Sequence, residues 1–200
     1  MRCGTALIEL TLLDEAKHRF KAVLAVEKDN AQARSGILKV EDARMLELLE
    51  ELKTKANVLY KDGSYSTATT SYGKALKAVE KAKLHLKSSR TAKDALTVTL
   101  LNNRAACYMA SEKSEAAVKD CQEALKVDEN SVKSQLRLSK AYLRLGLFTE
   151  AADAADLVSE MEGAADKDIR IALLEKKKMK TLLEQWEKGV SNIEDEPSKP

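Results

Sequence analysis

The stretch VTLLNNRAACYMASEKSEAAVKDCQEA, from Val98 to Ala124, alternates large and small apolar residues in a way that is typical of two helices packed against each other. The polar segment 110–113 (Ala-Ser-Glu-Lys) separates its two halves and predicts a turn. The whole stretch therefore predicts a helix-turn-helix unit. Its internal contact positions are Leu101, Ala105, Tyr108, Ala117, Cys121 and Ala124.

The same pattern occurs twice more at the same offsets. Counted from Val132, which lies 34 residues after Val98, the offsets give Gln135, Ser139, Tyr142, Ala151, Ala155 and Val158. Counted from Leu49, they give Leu52, Ala56, Leu59, Ala68, Tyr72 and Ala75. Agreement at fixed offsets in three units indicates a repeat array. The step from Leu49 to Val98 is 49 residues, 15 more than 34, and we expect the extra residues, around 83–91, to form a lengthened second helix plus a loop.

The 34-residue step and the small residues at these offsets resemble the tetratricopeptide-repeat (TPR) family over about residues 49–165. The resemblance implies an all-α TPR helical-hairpin array, an α-solenoid, with three repeats and a C-terminal capping helix. Two departures from the family pattern are Ala56, where glycine is common, and the missing proline that often closes a repeat. A third departure is the insertion after the first unit, which could change the angle between units one and two.

The regions outside the three repeats lead to further predictions. Residues 1–48 are expected to form part of a preceding repeat, with Gly4, Leu7, Ala16 and Phe20 at its offsets, and a connecting helix. On that interpretation the chain is a piece of a longer protein. Residues 166–190 are expected to form the capping helix, and residues 191–200 a disordered polar tail. The apolar positions of the capping helix are Ile169, Ala172, Leu173, Leu183 and Trp186.

The composition narrows the possible functions. Charged residues make up 33% of the chain but nearly cancel, giving a formal charge of +2, so we expect no nucleic-acid binding. No apolar run approaches the roughly 20 residues of a membrane span, so we expect no insertion into a membrane. The three cysteines form no CxxC pair, which favours a reducing compartment, and the cytoplasm is the expected location. Common nucleophile, phosphate and zinc motifs are absent from the sequence. We therefore expect a protein that is not an enzyme and needs no cofactor or metal.

Five polar residues on the first helices of the three units form the candidate site. The first helices of such hairpins line the concave side of the array, where an extended peptide can lie. Two ammonium groups, one guanidinium and two amides form a donor-rich set that suits carboxylates, and a C-terminal aspartate offers two of them. The five residues are Lys53, Asn57, Asn103, Lys133 and Arg137.

This set resembles the two-carboxylate clamp of TPR co-chaperones. The resemblance implies binding of the C-terminal Glu-Glu-Val-Asp tail of the cytosolic chaperones heat-shock protein 70 or heat-shock protein 90. An alternative is a TPR scaffold that binds an unrelated protein, and a weaker alternative is a nucleic-acid binder that uses the basic residues. We expect a structural role for Arg104, buried core thiols at Cys107 and Cys121, and surface or loop positions for His18 and His85, with no acid near His85.

Overall fold

A computed structural model describes residues 2–161 and 164–194, with side chains from Leu12 to Gln185 and at Lys188. Within those ranges the regular secondary structure is entirely helical. The helices are α1 (Arg2–Val26), α2 (Ala31–Lys61), α3 (Tyr65–Lys81), α4 (Lys87–Ala110), α5 (Ser114–Val127), α6 (Val132–Arg144), α7 (Phe148–Glu160) and α8 (Asp166–Glu194).

Consecutive helices pack against each other throughout the array, and α4 also contacts α2 and α6. The three repeated units are the hairpins α2–α3, α4–α5 and α6–α7. Small side chains at the helix–helix contacts allow close approach, and alanines at these offsets are fully buried. Ala56, Ala68, Ala75, Ala105, Ala117, Ala124 and Ala151 are all 0% exposed. The prediction of an all-α hairpin array is confirmed.

The turn of each hairpin contains one residue in the left-handed backbone region, always at the same offset. Gly63 has φ 76°, Glu112 has φ 60° and Gly146 has φ 73°. A side chain at Cβ disfavours this conformation, which is why glycine is the usual residue there. Unit two therefore makes its turn with a residue that is strained in that position.

The insertion after unit one lengthens α3 slightly, as expected, and α4 much more. Residues 82–86 form a loop, and α4 begins at Lys87, so residues 88–91 belong to the first helix of unit two. Lys93 Nζ donates to the carbonyl of Ala82 at 2.8 Å and so ties α4 to the end of α3. The prediction of a lengthened second helix plus a loop was therefore only partly right. The helix α3 has 17 residues against 14 in α5 and 13 in α7, but most of the insertion extends the N-terminus of α4, which has 24 residues against 13 in α6.

The N-terminal region does not contain the expected turn of a preceding repeat. Residues 2–26 form a single helix, and α2 then runs without a break across the boundary that we placed between residues 48 and 49. Gly36 lies directly against the ring of Phe20, so the two helices approach closely at that point. Asp14 and Arg44, at 2.6 Å, form an ion pair between α1 and α2.

The C-terminal helix α8 packs on α7 and α6, as a capping helix does. Ala172 and Met179 are both 1% exposed and provide its buried contacts, whereas Leu173, predicted to be on the apolar face, is 53% exposed. α8 continues to Glu194, so residues 191–194 are helical and not part of a tail. The predicted contact of Trp186 and the tail residues 195–200 lie outside the described residues. None of the described helices combines the length and apolarity of a membrane span.

Candidate functional site

The first helices of the three units, α2, α4 and α6, enclose a cavity of about 300 Å³ on one face of the array. Four of the five predicted site residues line it, namely Asn57 from α2, Asn103 from α4, and Lys133 and Arg137 from α6. Tyr60 and Ala106 contribute the apolar part of the wall. The insertion between units one and two therefore leaves α2 and α4 adjacent at this cavity.

Hydrogen bonds orient the amide of Asn57. The hydroxyl of Tyr72 donates to Asn57 Oδ1 at 2.6 Å, and Asn103 Nδ2 donates to the same oxygen at 3.1 Å. Because both acceptor positions of that oxygen are in use, the NH2 group of Asn57 is the part left to donate to a ligand. Burial raises the pKa of Tyr72 to about 12, so its hydroxyl stays protonated and remains a donor.

Two cations face the cavity from α6 without an anionic partner. Among the residues that the structure describes, neither Lys133 nor Arg137 lies within ion-pair distance of a carboxylate. Burial lowers the pKa of Arg137. Burial, followed by the charge of Arg137, also lowers the pKa of Lys133. Both shifts indicate positive charges that are partly desolvated and uncompensated, a condition that an anion would relieve.

A polar chain behind the cavity holds the guanidinium of Arg137. Arg137 Nη1 donates to Asn102 Oδ1 at 3.1 Å, and Asn102 Nδ2 donates to Ser134 Oγ at 2.7 Å. Asn102 is 2% exposed. Sequence reasoning missed its role and assigned only Asn103 to the site, although a second asparagine beside it, on the same helix, was a visible signal.

The fifth predicted residue, Lys53, does not line this cavity. It lies on α2 one turn before Asn57, and its ammonium is paired with Glu50 on the same helix. A ligand carboxylate would have to replace Glu50 as the partner of Lys53.

A second cavity of about 560 Å³ continues from the first and shares Tyr60, Lys133 and Arg137 with it. Lys140 and Arg144 line it from α6, and Asp168 lines it from α8. Arg144 donates to the carbonyl of Met109, near the end of α4. The two cavities together form one continuous groove that is longer than a single residue, with more positive than negative side chains in its wall.

The remaining candidate residues have structural surroundings. Arg104 forms two hydrogen bonds with Asp120 of α5, at 2.8 and 2.6 Å, which agrees with the structural role expected for it. Cys107 and Cys121 are both 0% exposed, and burial raises the pKa of each thiol. Their side chains are therefore core thiols, as predicted.

His85 contacts an acid, contrary to the sequence interpretation. Its Nδ1 lies 2.9 Å from Asp42 Oδ1, and the backbone N–H groups of His85 and Leu86 donate to the same carboxylate. Burial raises the pKa of Asp42, but the hydrogen bonds from Leu86 and His85 outweigh it and bring the value to about 2. The residues are separated by 43 positions in the chain, so local sequence offered no sign of the contact.

The sequence is similar to known tetratricopeptide-repeat proteins. The family model described as "Tetratricopeptide repeat" matches residues 98–131. The Hsp70/Hsp90 co-chaperone CNS1 of Saccharomyces cerevisiae is 31% identical over 123 residues, which are 62% of this chain and 29% of CNS1. The chain spans less than a third of the length of the first curated relatives that it matches.

Two solved structures have both the fold and a bound peptide. The second TPR domain of human RPAP3, in complex with the HSP70 peptide SGPTIEEVD, is 27% identical with a TM-score of 0.51, over 64% of this chain and 92% of that one. The first TPR of Spaghetti (RPAP3), bound to the HSP90 peptide SRMEEVD, is 25% identical with a TM-score of 0.54, over 68% of this chain and 92% of that one.

Proposed function

Because one hairpin matches the tetratricopeptide-repeat model and the array forms a continuous cationic groove, we propose that this chain is an adaptor or co-chaperone domain of the TPR type that binds the acidic C-terminal tail of heat-shock protein 70 or heat-shock protein 90. Asn57, Asn103, Lys133 and Arg137 hold the terminal carboxylates in this proposal. Lys53 joins them after it exchanges Glu50 for the ligand.

The observation that carries the proposal is the pair of cations at the cavity that have no carboxylate partner among the residues the structure describes. Burial lowers the pKa of both Lys133 and Arg137, and the charge of Arg137 lowers that of Lys133 further. A ligand with two carboxylates on one residue, such as a C-terminal aspartate, matches the two charges together with the amide donors. A single carboxylate would leave one of the cations uncompensated.

The length of the groove supports an extended peptide. The second cavity begins where the first ends and adds about 560 Å³, which gives room for residues that precede the terminal aspartate. Arg144 and Lys140 are the cations there, the latter 3.9 Å from Glu175 of α8, and both suit the glutamates of a Glu-Glu-Val-Asp sequence. The HSP70 and HSP90 peptides in the two similar solved structures both end in this sequence.

Two further parts of the proposal concern the protein as a whole. The domain itself binds and does not catalyse, and any other activity of the protein belongs to segments outside the repeats. We also propose the cytoplasm as its location, since the tails that suit the groove belong to cytosolic chaperones.

Isothermal titration with an acidic peptide that ends in Glu-Glu-Val-Asp tests the proposal directly. We expect a dissociation constant on the order of micromolar, because a short flexible peptide loses entropy when it is ordered. Amidation of the C-terminus removes one of the two carboxylates and should abolish measurable binding. Lys133→Ala should weaken binding by about 2 kcal/mol, at the low end for a truncated charge pair because the groove is open to solvent.

A matched control separates the site from net charge. Lys119 is an exposed lysine on α5, away from both cavities, so Lys119→Ala removes the same charge and should leave affinity unchanged. Failure of the free-acid peptide to bind the wild type would refute the proposal. A scaffold for an unrelated partner would then be the better description.

A further inference from the structure

The guanidinium of Arg137 has an unusual partner. A cation that is partly buried in a protein generally pairs with a carboxylate, which neutralises its charge. Here the described partner is the amide oxygen of Asn102, at 3.1 Å. Asn102 is itself almost fully buried, and its own NH2 group donates to Ser134 Oγ at 2.7 Å. Ser134 is 0% exposed and donates to Ser131 Oγ at 2.8 Å.

We propose that Asn102 is a positioning residue that fixes the guanidinium of Arg137 at the groove while leaving its positive charge unneutralised for a ligand carboxylate. This inference rests on the proposed function, since a charge kept free matters only if the groove binds an anion. An aspartate at position 102 has nearly the same shape and can accept from both Arg137 and Ser134. It would hold the guanidinium as well but would cancel its charge. The presence of an amide at position 102, where a carboxylate would also fit, therefore indicates that the charge of Arg137 is kept for a ligand.

The chain of hydrogen bonds also explains why the position of Arg137 is fixed. Ser131 lies just before the start of α6, Ser134 is in its first turn and Asn102 is on α4. The contact thus joins two neighbouring units at the level of the cavity. A side chain as long as arginine loses considerable rotamer entropy on binding, and a tether made in the free protein reduces that loss.

The variant Asn102→Asp separates positioning from structure. We expect its thermal unfolding temperature to equal or exceed that of the wild type, because an ion pair replaces the hydrogen bond from the guanidinium to a neutral amide. We expect its affinity for the free-acid tail peptide to fall by about tenfold or more, because the ligand then meets a neutralised partner. Gln32→Glu is the matched control, since Gln32 is exposed on the same helix as Asn57 but roughly 37 Å further along it. It adds the same charge and should leave affinity unchanged.

A measurement without ligand tests the tether by itself. Nuclear magnetic resonance of the ¹⁵N-labelled guanidinium reports rotation about its Nε–Cζ bond. We expect restricted rotation at Arg137 in the wild type and in Asn102→Asp, and faster rotation in Asn102→Leu, which cannot accept a hydrogen bond.

The two measurements give distinguishable failures. If the wild type binds the tail and Asn102→Asp binds it equally well, the inference is overturned while the proposed function stands. Free rotation at Arg137 in the wild type overturns the inference whether or not any peptide binds. If the wild type does not bind the tail but the rotation is restricted, the proposed function fails, and with it the part of the inference that concerns the ligand.

Discussion

Replacement of Asp42 by asparagine should destabilise the protein substantially at neutral pH. The carboxylate is 1% exposed and accepts from the backbone N–H groups of His85 and Leu86 at 2.8–3.0 Å. These bonds hold the 82–86 loop, and through it the start of α4, against α2. Asparagine keeps one acceptor oxygen but turns an NH2 group toward donors, so we expect a loss of about 2–3 kcal/mol. In a chain of this size that corresponds to roughly 4–12 °C in melting temperature.

The dependence on pH has a definite sign. The pKa of Asp42 in the folded protein is lowered to about 2 from its ordinary value of 3.8. Its contribution is therefore fully present above the ordinary value and disappears as the pH falls toward 2. Thermal melts followed by circular dichroism should show the gap between wild type and Asp42→Asn narrowing over that interval. Asp29→Asn is a suitable control, because the side chain of Asp29 is 94% exposed. A variant that melts within about 2 °C of the wild type at neutral pH would contradict the reasoning.

Two further predictions concern the turn of unit two and the groove. Glu112→Gly should raise stability by about 1 kcal/mol, because it removes left-handed strain from a side chain, whereas Gly146→Ala should lower it by a similar amount. Denaturant melts measure the stability of both variants. If the two substitutions change the free energy of unfolding in the same direction, left-handed strain at Glu112 is not the cause. Tail binding should take up protons at alkaline pH, in the range where Lys133 titrates, because a carboxylate raises the lowered pKa of Lys133. Titrations in two buffers of different protonation enthalpy measure the uptake. If the proton uptake persists in Lys133→Arg, a group other than Lys133 takes up the proton.

The repeats could be predicted from the sequence because their signal is local. Ala56, Ala68 and Ala75 lie at helix contacts within one unit, and the same contacts return at the same offsets in the next. The candidate site followed from the same register, since the array brings equivalent positions of α2, α4 and α6 to one face. Four of the five residues line one cavity, and their role in binding stays a prediction.

The features that sequence analysis missed depend on contacts between distant residues. The insertion contains neither glycine nor proline, so nothing in it showed whether α3 or α4 would lengthen. The contact between Asp42 and His85 holds the 82–86 loop against α2, and it joins residues that are 43 positions apart in the chain. The pairing of Lys53 with Glu50 has an i,i+3 spacing that the sequence shows, but the sequence does not show whether Glu50 or a ligand holds the ammonium.

Because α2 is a single unbroken helix, it fixes both the distance and the rotation between the residues at its two ends. Arg44, which pairs with α1, and Asn57, which lines the groove, lie on one helix about 20 Å apart. Insertion of a single residue between them would rotate the seat of α1 by about 100° relative to the groove. Residues added to the 82–86 loop would not rotate the groove residues of α4, since the loop ends before that helix begins, provided that the bonds from His85 and Leu86 to Asp42 remain in place. Evolution can therefore change the spacing between units one and two far more easily than the length of α2.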